Sequence, residues 1–311
     1  METGKDPALG SRPIGSRLRR RSLLIGLALA PAQAWTAEAV PVVASFSILA
    51  DLVRQVAGPL TAVTSLVPPD GDVHTYEPRP GDLGTLSAAR MLVVNGLGFE
   101  GWIDRLAGAV QYRGITVTAS AGVVPRTMQE GGGAATIDPH AWQDTRNGVL
   151  YLRAIVEGLV RADPSNAGQY REAGERYAAQ ILQTDAWIER ELAPVPVAKR
   201  KIITTHDAFG YFGARYGITF LAPEGISTDS EPSAAAIAAL VRQIRRENVR
   251  AVFIENMTDP RMARMLSRET GAVLGGTVYS DALSPPDGPA ATYLAMFQHN
   301  VPLFVRAMAA S

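Results

Sequence analysis

Three of the four histidines in this chain stand in polar, loop-forming settings far apart in sequence. His74 lies in Gly71-Asp72-Val73-His74-Thr75-Tyr76-Glu77-Pro78, His140 in Asp138-Pro139-His140-Ala141-Trp142, and His206 in Thr204-Thr205-His206-Asp207-Ala208-Phe209. A fourth oxygen-bearing segment, Tyr279-Ser280-Asp281-Ala282-Leu283-Ser284, lies near the C-terminus. Three imidazoles and one carboxylate form a borderline-soft donor set suited to tetrahedral zinc. The chain has no cysteine, so any metal is held by nitrogen and oxygen, and disulfides, thiolate sites and a lipid-bearing cysteine are excluded.

Each of these residues also has an ordinary structural role open to it. A loop histidine is commonly solvated, His206 beside Phe209, Tyr211 and Phe212 could bond a carbonyl, and Asp281 could cap a turn before Ser284-Pro285-Pro286. Pro139 and Trp142 favour a ligand role for His140, because the proline fixes the backbone and the indole can exclude water. His299, between Gln298 and Asn300 on a final helix, reads as a solvated helix residue.

The elements that must position the donors alternate between strand-like and helix-like segments, the pattern of an α/β sheet protein. Strands are predicted over 40–46, 62–67, 91–95 and 115–118, with helices over 48–56, opened by Ser47 and stopped by Gly58, and over 101–110. A second run follows: strands over 201–205, 218–221, 249–254 and 276–279, and helices over 233–247, 259–270 and 290–309. Ligands in open α/β sheets gather beyond the carboxyl ends of strands. The strand over 201–205 leads into His206, that over 276–279 into Asp281, and the turn at Pro68-Pro69-Asp70-Gly71 delivers His74 from the strand before it. Between the two runs, Asp163-Pro164 opens a proline-free stretch over 165–192 with Tyr170, Tyr177, Ile181, Ile188 and Leu192 at helical spacing, ended by Pro194 and Pro196. The expected organisation is a β/α lobe over 40–163, a linking helix over 164–193 and a second β/α lobe over 198–311, each lobe supplying two donors. Gly131-Gly132-Gly133 reads as a flexible connector ahead of Asp138.

The first 34 residues read as a removable export signal: Arg17, Arg19, Arg20 and Arg21, a short apolar run, then Ala32-Gln33-Ala34. Arg20-Arg21-Ser22-Leu23-Leu24 also fits a twin-arginine route, and either signal is an address rather than an anchor. The expected location is the periplasm, as an exported soluble protein without a lipoprotein cysteine. A formal net charge of zero and a pI near 6.9 exclude the basic footprint of a nucleic-acid binder. No His-Glu-x-x-His segment or Gly-x-Ser-x-Gly elbow supports the competing class, an exported metallohydrolase.

Together the segments Val73-His74-Thr75-Tyr76-Glu77-Pro78-Arg79-Pro80, Asp138-Pro139-His140-Ala141-Trp142, Thr205-His206-Asp207-Ala208-Phe209-Gly210-Tyr211-Phe212 and Tyr279-Ser280-Asp281-Ala282-Leu283 resemble the zinc/manganese solute-binding proteins of ABC importers, over essentially the whole chain after the signal. The resemblance implies two lobes joined by one long helix, with the metal in the cleft between them. It also implies delivery to a membrane permease driven by a cytoplasmic ATPase, rather than catalysis. His74, His140, His206 and Asp281 are the ligand positions it implies, and Asp138, Asp207, Glu77 and Glu255 are available to hydrogen-bond the imidazoles from behind. Manganese-selective members tend to carry a carboxylate where this chain has His206, so zinc is the expected cargo, with manganese the alternative. A receptor for chelated iron or a corrinoid shares the shape but needs no such cage. Many zinc members carry a long His/Asp/Glu-rich loop before the second histidine; here residues 128–136 are short and glycine-rich, which points to acquisition help from a separate metallochaperone. The chain is expected to be monomeric.

Overall fold

In the computed structural model, which describes residues 38–129, 135–223, 225, 228 and 232–310, the apolar run at the start of the fold forms β1 (Val40–Phe46) and passes directly into α1 (Ser47–Ala57). The export segment over 1–34 and the glycine triplet lie outside the described residues. Gly58 ends α1 at φ 49°, a left-handed conformation that favours glycine. Ser47 is the first helical residue rather than the cap: its hydroxyl accepts a hydrogen bond from the Leu283 N–H at 2.9 Å, because that distant buried donor competes for it.

The first sheet is completed by β2 (Thr61–Val67), α2 (Pro80–Ala88), β3 (Met91–Val94), α3 (Ile103–Ala109) and β4 (Ile115–Thr118), with parallel strands in the order β2-β1-β3-β4. An antiparallel hairpin, β5 (Thr127–Gln129) and β6 (Ala135–Ile137), flanks the glycine triplet. Next come α4 (Thr145–Ala162) and the long α5 (Ala167–Leu192). The second sheet is built by β7 (Lys201–Ile203), α6 (Gly210–Tyr216), β8 (Thr219–Leu221), α7 (Ala234–Glu247), β9 (Ala251–Glu255), α8 (Pro260–Thr270) and β10 (Val273–Val278). Its parallel order is β10-β9-β7-β8, and α9 (Tyr293–Ala309) closes the chain. The fold is therefore α/β, two lobes each with a four-stranded parallel sheet, linked by α5.

The linking helix starts at Ala167, three residues after the expected 164. Asp163 ends α4, and its carboxylate accepts from Asn166 Nδ2 at 2.6 Å and the Tyr170 hydroxyl at 2.8 Å while Pro164–Asn166 form a 3-10 turn. The 26 residues of α5 span about 39 Å at ~1.5 Å per residue. This helix does not stand free: Tyr170, Tyr177, Ile181, Ile188 and Leu192 are buried in one core together with α1, α4, α9 and the inner face of both sheets. In the second sheet, Ile202 and Phe253 face that shared core, whereas Ile203 and Val252 face a smaller one under α7 and α8, as the two-residue period of a strand requires.

Helices α2, α4 and α6 occupy stretches where no element is predicted from sequence. Each contains two glycines, which weaken the helical signal by about 1 kcal/mol apiece. In α4 and α6 they serve packing. A Cβ at Gly148 would sit 2.3 Å from Tyr293 Oη, and one at Gly158 would sit 2.4 Å from Val117 Cγ2. Tyr293 is fully buried and donates to the Trp142 carbonyl at 2.5 Å, so it has little room to move. Gly148→Ala is accordingly expected to destabilise the protein by about 1–3 kcal/mol despite the better helix propensity of alanine. Thermal unfolding checks this; a midpoint at or above that of the parent would show that α4 can shift.

A candidate metal centre

His74, His206 and Asp281 lie past the carboxyl ends of parallel strands, and His140 past the antiparallel β6. His74 follows β2 on a loop whose backbone is held by Asp72, which accepts the His74 N–H at 2.9 Å. His140 follows β6; Asp138 Oδ1 accepts its N–H at 3.0 Å and lies 2.9 Å from its Nδ1. His206 follows β7, and Glu255, the last residue of β9, holds it: Oε1 accepts from the N–H of Thr205 at 3.0 Å and of His206 at 2.9 Å, and Oε2 lies 2.7 Å from His206 Nδ1. Asp281 follows β10. Its loop is fastened from the first lobe, because the Ser280 carbonyl accepts from Trp142 Nε1 at 3.0 Å and Gln143 Nε2 at 2.8 Å.

The result is a convergence on one oxygen. Asp281 Oδ2 is 3.0 Å from His206 Nε2, 3.3 Å from His74 Nε2 and 3.6 Å from His140 Nε2, and the two Nε2 atoms of His74 and His140 are 3.4 Å apart. One ligand atom from each of the four residues lies within 4.8 Å of all the others. Donors ~2 Å from a common tetrahedral centre are separated by about 3.3 Å, which is the scale of these distances. The side chains of His140, His206 and Asp281 are fully buried, and that of His74 is 5% exposed. Phe99 packs edge-on against His74 and His140, and Trp142 against His140, so the aromatic wall inferred from Trp142 is present. Asp281 Oδ1 is buried without a hydrogen-bond partner among the described residues, a donor that suits a cation.

Electrostatically the site is held together by proton sharing. Burial lowers the His140 imidazole, but the Asp281 and Asp138 carboxylates outweigh it and push it up to about 9. Burial likewise opposes the charged forms of His206 and Asp281, yet Glu255 and Asp281 hold His206 well above the ordinary histidine range, and His140 and His206 hold Asp281 well below the usual carboxylate range.

Of the four acidic residues available to orient the imidazoles, Asp138 and Glu255 do so. Glu77 is exposed on the His74 loop, and Asp207 turns instead to a surface cavity beside Arg126 and Gly210. His299 is not simply solvated: it is half-buried, its Nε2 lies 2.9 Å from the Thr277 carbonyl, and its ring packs edge-on against Tyr279. Trp142 and Gln143 as clamps on the Asp281 loop were not foreseen, and nothing local in the sequence signals a contact across 137 or 138 positions.

Residues 42–307 match the model of a protein family described as "ZnuA: Zinc-uptake complex component A periplasmic". The chain belongs to this family. Members of this family are non-enzymatic solute-binding proteins, and this chain is a divalent-metal receptor for an ABC importer. Among its relatives is the manganese-binding lipoprotein MntA of Halalkalibacterium halodurans, 32% identical over 269 residues, covering 86% of this chain and 88% of that protein. The iron-binding protein YfeA of Yersinia pestis is 29% identical over 266 residues, covering 86% and 85%. The solved periplasmic zinc binding protein TroA of Treponema pallidum superposes with a TM-score of 0.81 at 28% identity, covering 86% of this chain and 99% of that one.

Second contacts of this kind tune metal affinity by about 10–100-fold. Glu255→Gln is therefore expected to weaken metal binding within that range while the fold persists. Chelator competition measures it; an affinity equal to the parent's would show that the carboxylate charge behind His206 is dispensable.

Proposed function

We propose that this protein captures zinc in the periplasm through His74, His140, His206 and Asp281 and passes it to the permease of an ABC importer, whose cytoplasmic ATPase drives uptake. The observation that carries this reading is the convergence of three imidazole nitrogens on Asp281 Oδ2 within 3.0–3.6 Å. Relatives of this chain are named for manganese, iron and zinc, so membership alone leaves the metal open. His206 favours zinc, because a third imidazole makes the donor set softer than one with two carboxylates. A set of donors confined within 4.8 Å accommodates a bare ion rather than a chelate or corrinoid. Four protein ligands also close the sphere in the manner of structural zinc sites and leave no position for the water nucleophile of a hydrolase.

In this reading, residues 1–34 direct export and are removed, the lobes are 40–163 and 198–311, and the helix over 164–193 joins them. The core shared by both lobes and α5 supports small movements on release rather than a wide hinge, which small-angle scattering with and without metal would test. The protein acts as a monomer. With so short a segment over 128–136, a periplasmic metallochaperone is its supplier of metal.

The deciding experiment strips the protein of metal by unfolding in chelator, refolds it, and offers equimolar zinc and manganese. Zinc is expected to be retained at one ion per chain. Retention of manganese in that competition would overturn the zinc assignment, and retention of neither would overturn the receptor reading.

A further inference from the structure

We propose that Arg126 is a positioning residue that sets the net charge of the metal centre, so that the site favours a divalent over a trivalent cation. This rests on the receptor reading above. Asp281, Asp138 and Glu255 are each fully buried; Asp138 faces the N–H and ring of His140, and Glu255 the Thr205 and His206 N–H groups, the Thr205 hydroxyl and the His206 ring. With neutral imidazoles the three carboxylates carry one negative charge more than a divalent cargo neutralises. Uncompensated charge in a dry interior is costly, so the excess calls for a cation.

Arg126 supplies it. Its Nη1 lies 2.9 Å from Asp138 Oδ2, on the opposite side of the carboxylate from His140. The contact is built from both lobes. In the first, the Arg126 carbonyl accepts the Asp138 N–H at 2.9 Å; from the second, the Tyr211 hydroxyl accepts the Arg126 N–H at 2.8 Å. At the start of α6, Gly210 leaves the space the guanidinium fills: a Cβ there would fall 1.7 Å from Arg126 Nη1 and 2.5 Å from Asp138 Oδ2. Asp207 lines the cavity outside Arg126 and is half-buried, a fourth carboxylate that adds to the negative charge the guanidinium faces.

A unit charge on the order of 10 Å from the ion, at an effective dielectric near 20, changes the affinity for a trivalent relative to a divalent cation by about tenfold. The Arg126 side chain is 36% exposed, and screening brings the effect toward roughly fivefold.

The test uses the full chain and measures affinities for zinc(II) and gallium(III), both offered as citrate complexes, in the parent, Arg126→Met, Arg126→Gln and Arg126→Lys. The gallium-to-zinc affinity ratio is expected to rise about five- to tenfold in the Met and Gln variants and to stay at the parental value in the Lys variant. A purely structural role would weaken both metals together and leave the ratio unchanged. An unchanged ratio in Met and Gln, absence of gallium binding in all four proteins, or an equal shift in Lys would overturn the charge assignment. Failure of the parent to bind zinc, or zinc binding by His206→Ala equal to the parent's, would instead remove the receptor reading itself.

Discussion

Replacing His206 by alanine is expected to weaken zinc binding by on the order of 10²- to 10³-fold. The magnitude follows from dividing roughly 10–16 kcal/mol of site free energy over four ligands, which leaves about 2.5–4 kcal/mol for each. His206 is a severe case because it stands between two carboxylates: Nε2 is 3.0 Å from Asp281 Oδ2, and Nδ1 is 2.7 Å from Glu255 Oε2. Its loss leaves Glu255 buried with one partner fewer, held by Thr205, Ser280 and the backbone N–H at position 206, so the metal-free variant should also unfold earlier. The two effects are separable. Competition against a chromophoric zinc chelator reads affinity, and melting of the metal-free protein reads stability. A variant that melts early but keeps parental affinity would show that this imidazole is structural and not a ligand.

Zinc affinity should climb steeply with pH across the neutral range. In the metal-free fold His140 is raised from 6.5 to about 9, so a proton occupies the position at which the metal must bind. A group whose pKa is higher in the folded than in the unfolded chain stabilises the fold fully below its unfolded value, and the contribution is lost as pH rises through the folded value. The metal-free protein should therefore lose stability between pH 6.5 and about 9 as His140 deprotonates. Over that same window zinc faces less competition, and each displaced proton changes the apparent affinity by about tenfold per pH unit. From about pH 7 to about pH 9 one proton thus accounts for on the order of 10²-fold, and the melting gap between loaded and metal-free protein widens. Asp281 acts in the opposite sense: its lowered pKa gives stability present above the ordinary carboxylate value of 3.8 and lost as pH falls through its folded value. A dissociation constant that stays flat between pH 7 and 9 would sink the proton-competition account.

The four side chains that converge were readable because each carries a local signature. His206 and Asp281 follow strands that end within a few residues of them, and the turn before His74 and the proline before His140 are short-range features. The alternation of elements was equally legible; Ser233 and Asp259, each accepting a backbone N–H of its helix, open α7 and α8. Legibility failed where packing overrode propensity. Glycines 148, 158, 210 and 213 blur two helices, yet any side chain there would strike Tyr293, Val117, Arg126 or the Ile218 carbonyl. Ser47 was read as a helix cap from its neighbours, but its hydroxyl is taken by Leu283, 236 positions away.

By itself the amino-acid order determined the donor types, the α/β class and the loops on which the donors are carried, since these follow from side-chain chemistry and the strand and helix periods. Only the tertiary structure decided that Asp138 and Glu255, rather than Glu77 and Asp207, stand behind the imidazoles, and that Trp142 and Gln143 clamp the Asp281 loop. A period specifies which face of an element is apolar. Which buried polar group meets which depends on how those faces pack and on the cost of leaving any donor or acceptor unpaired, and that is settled only when the whole chain has folded.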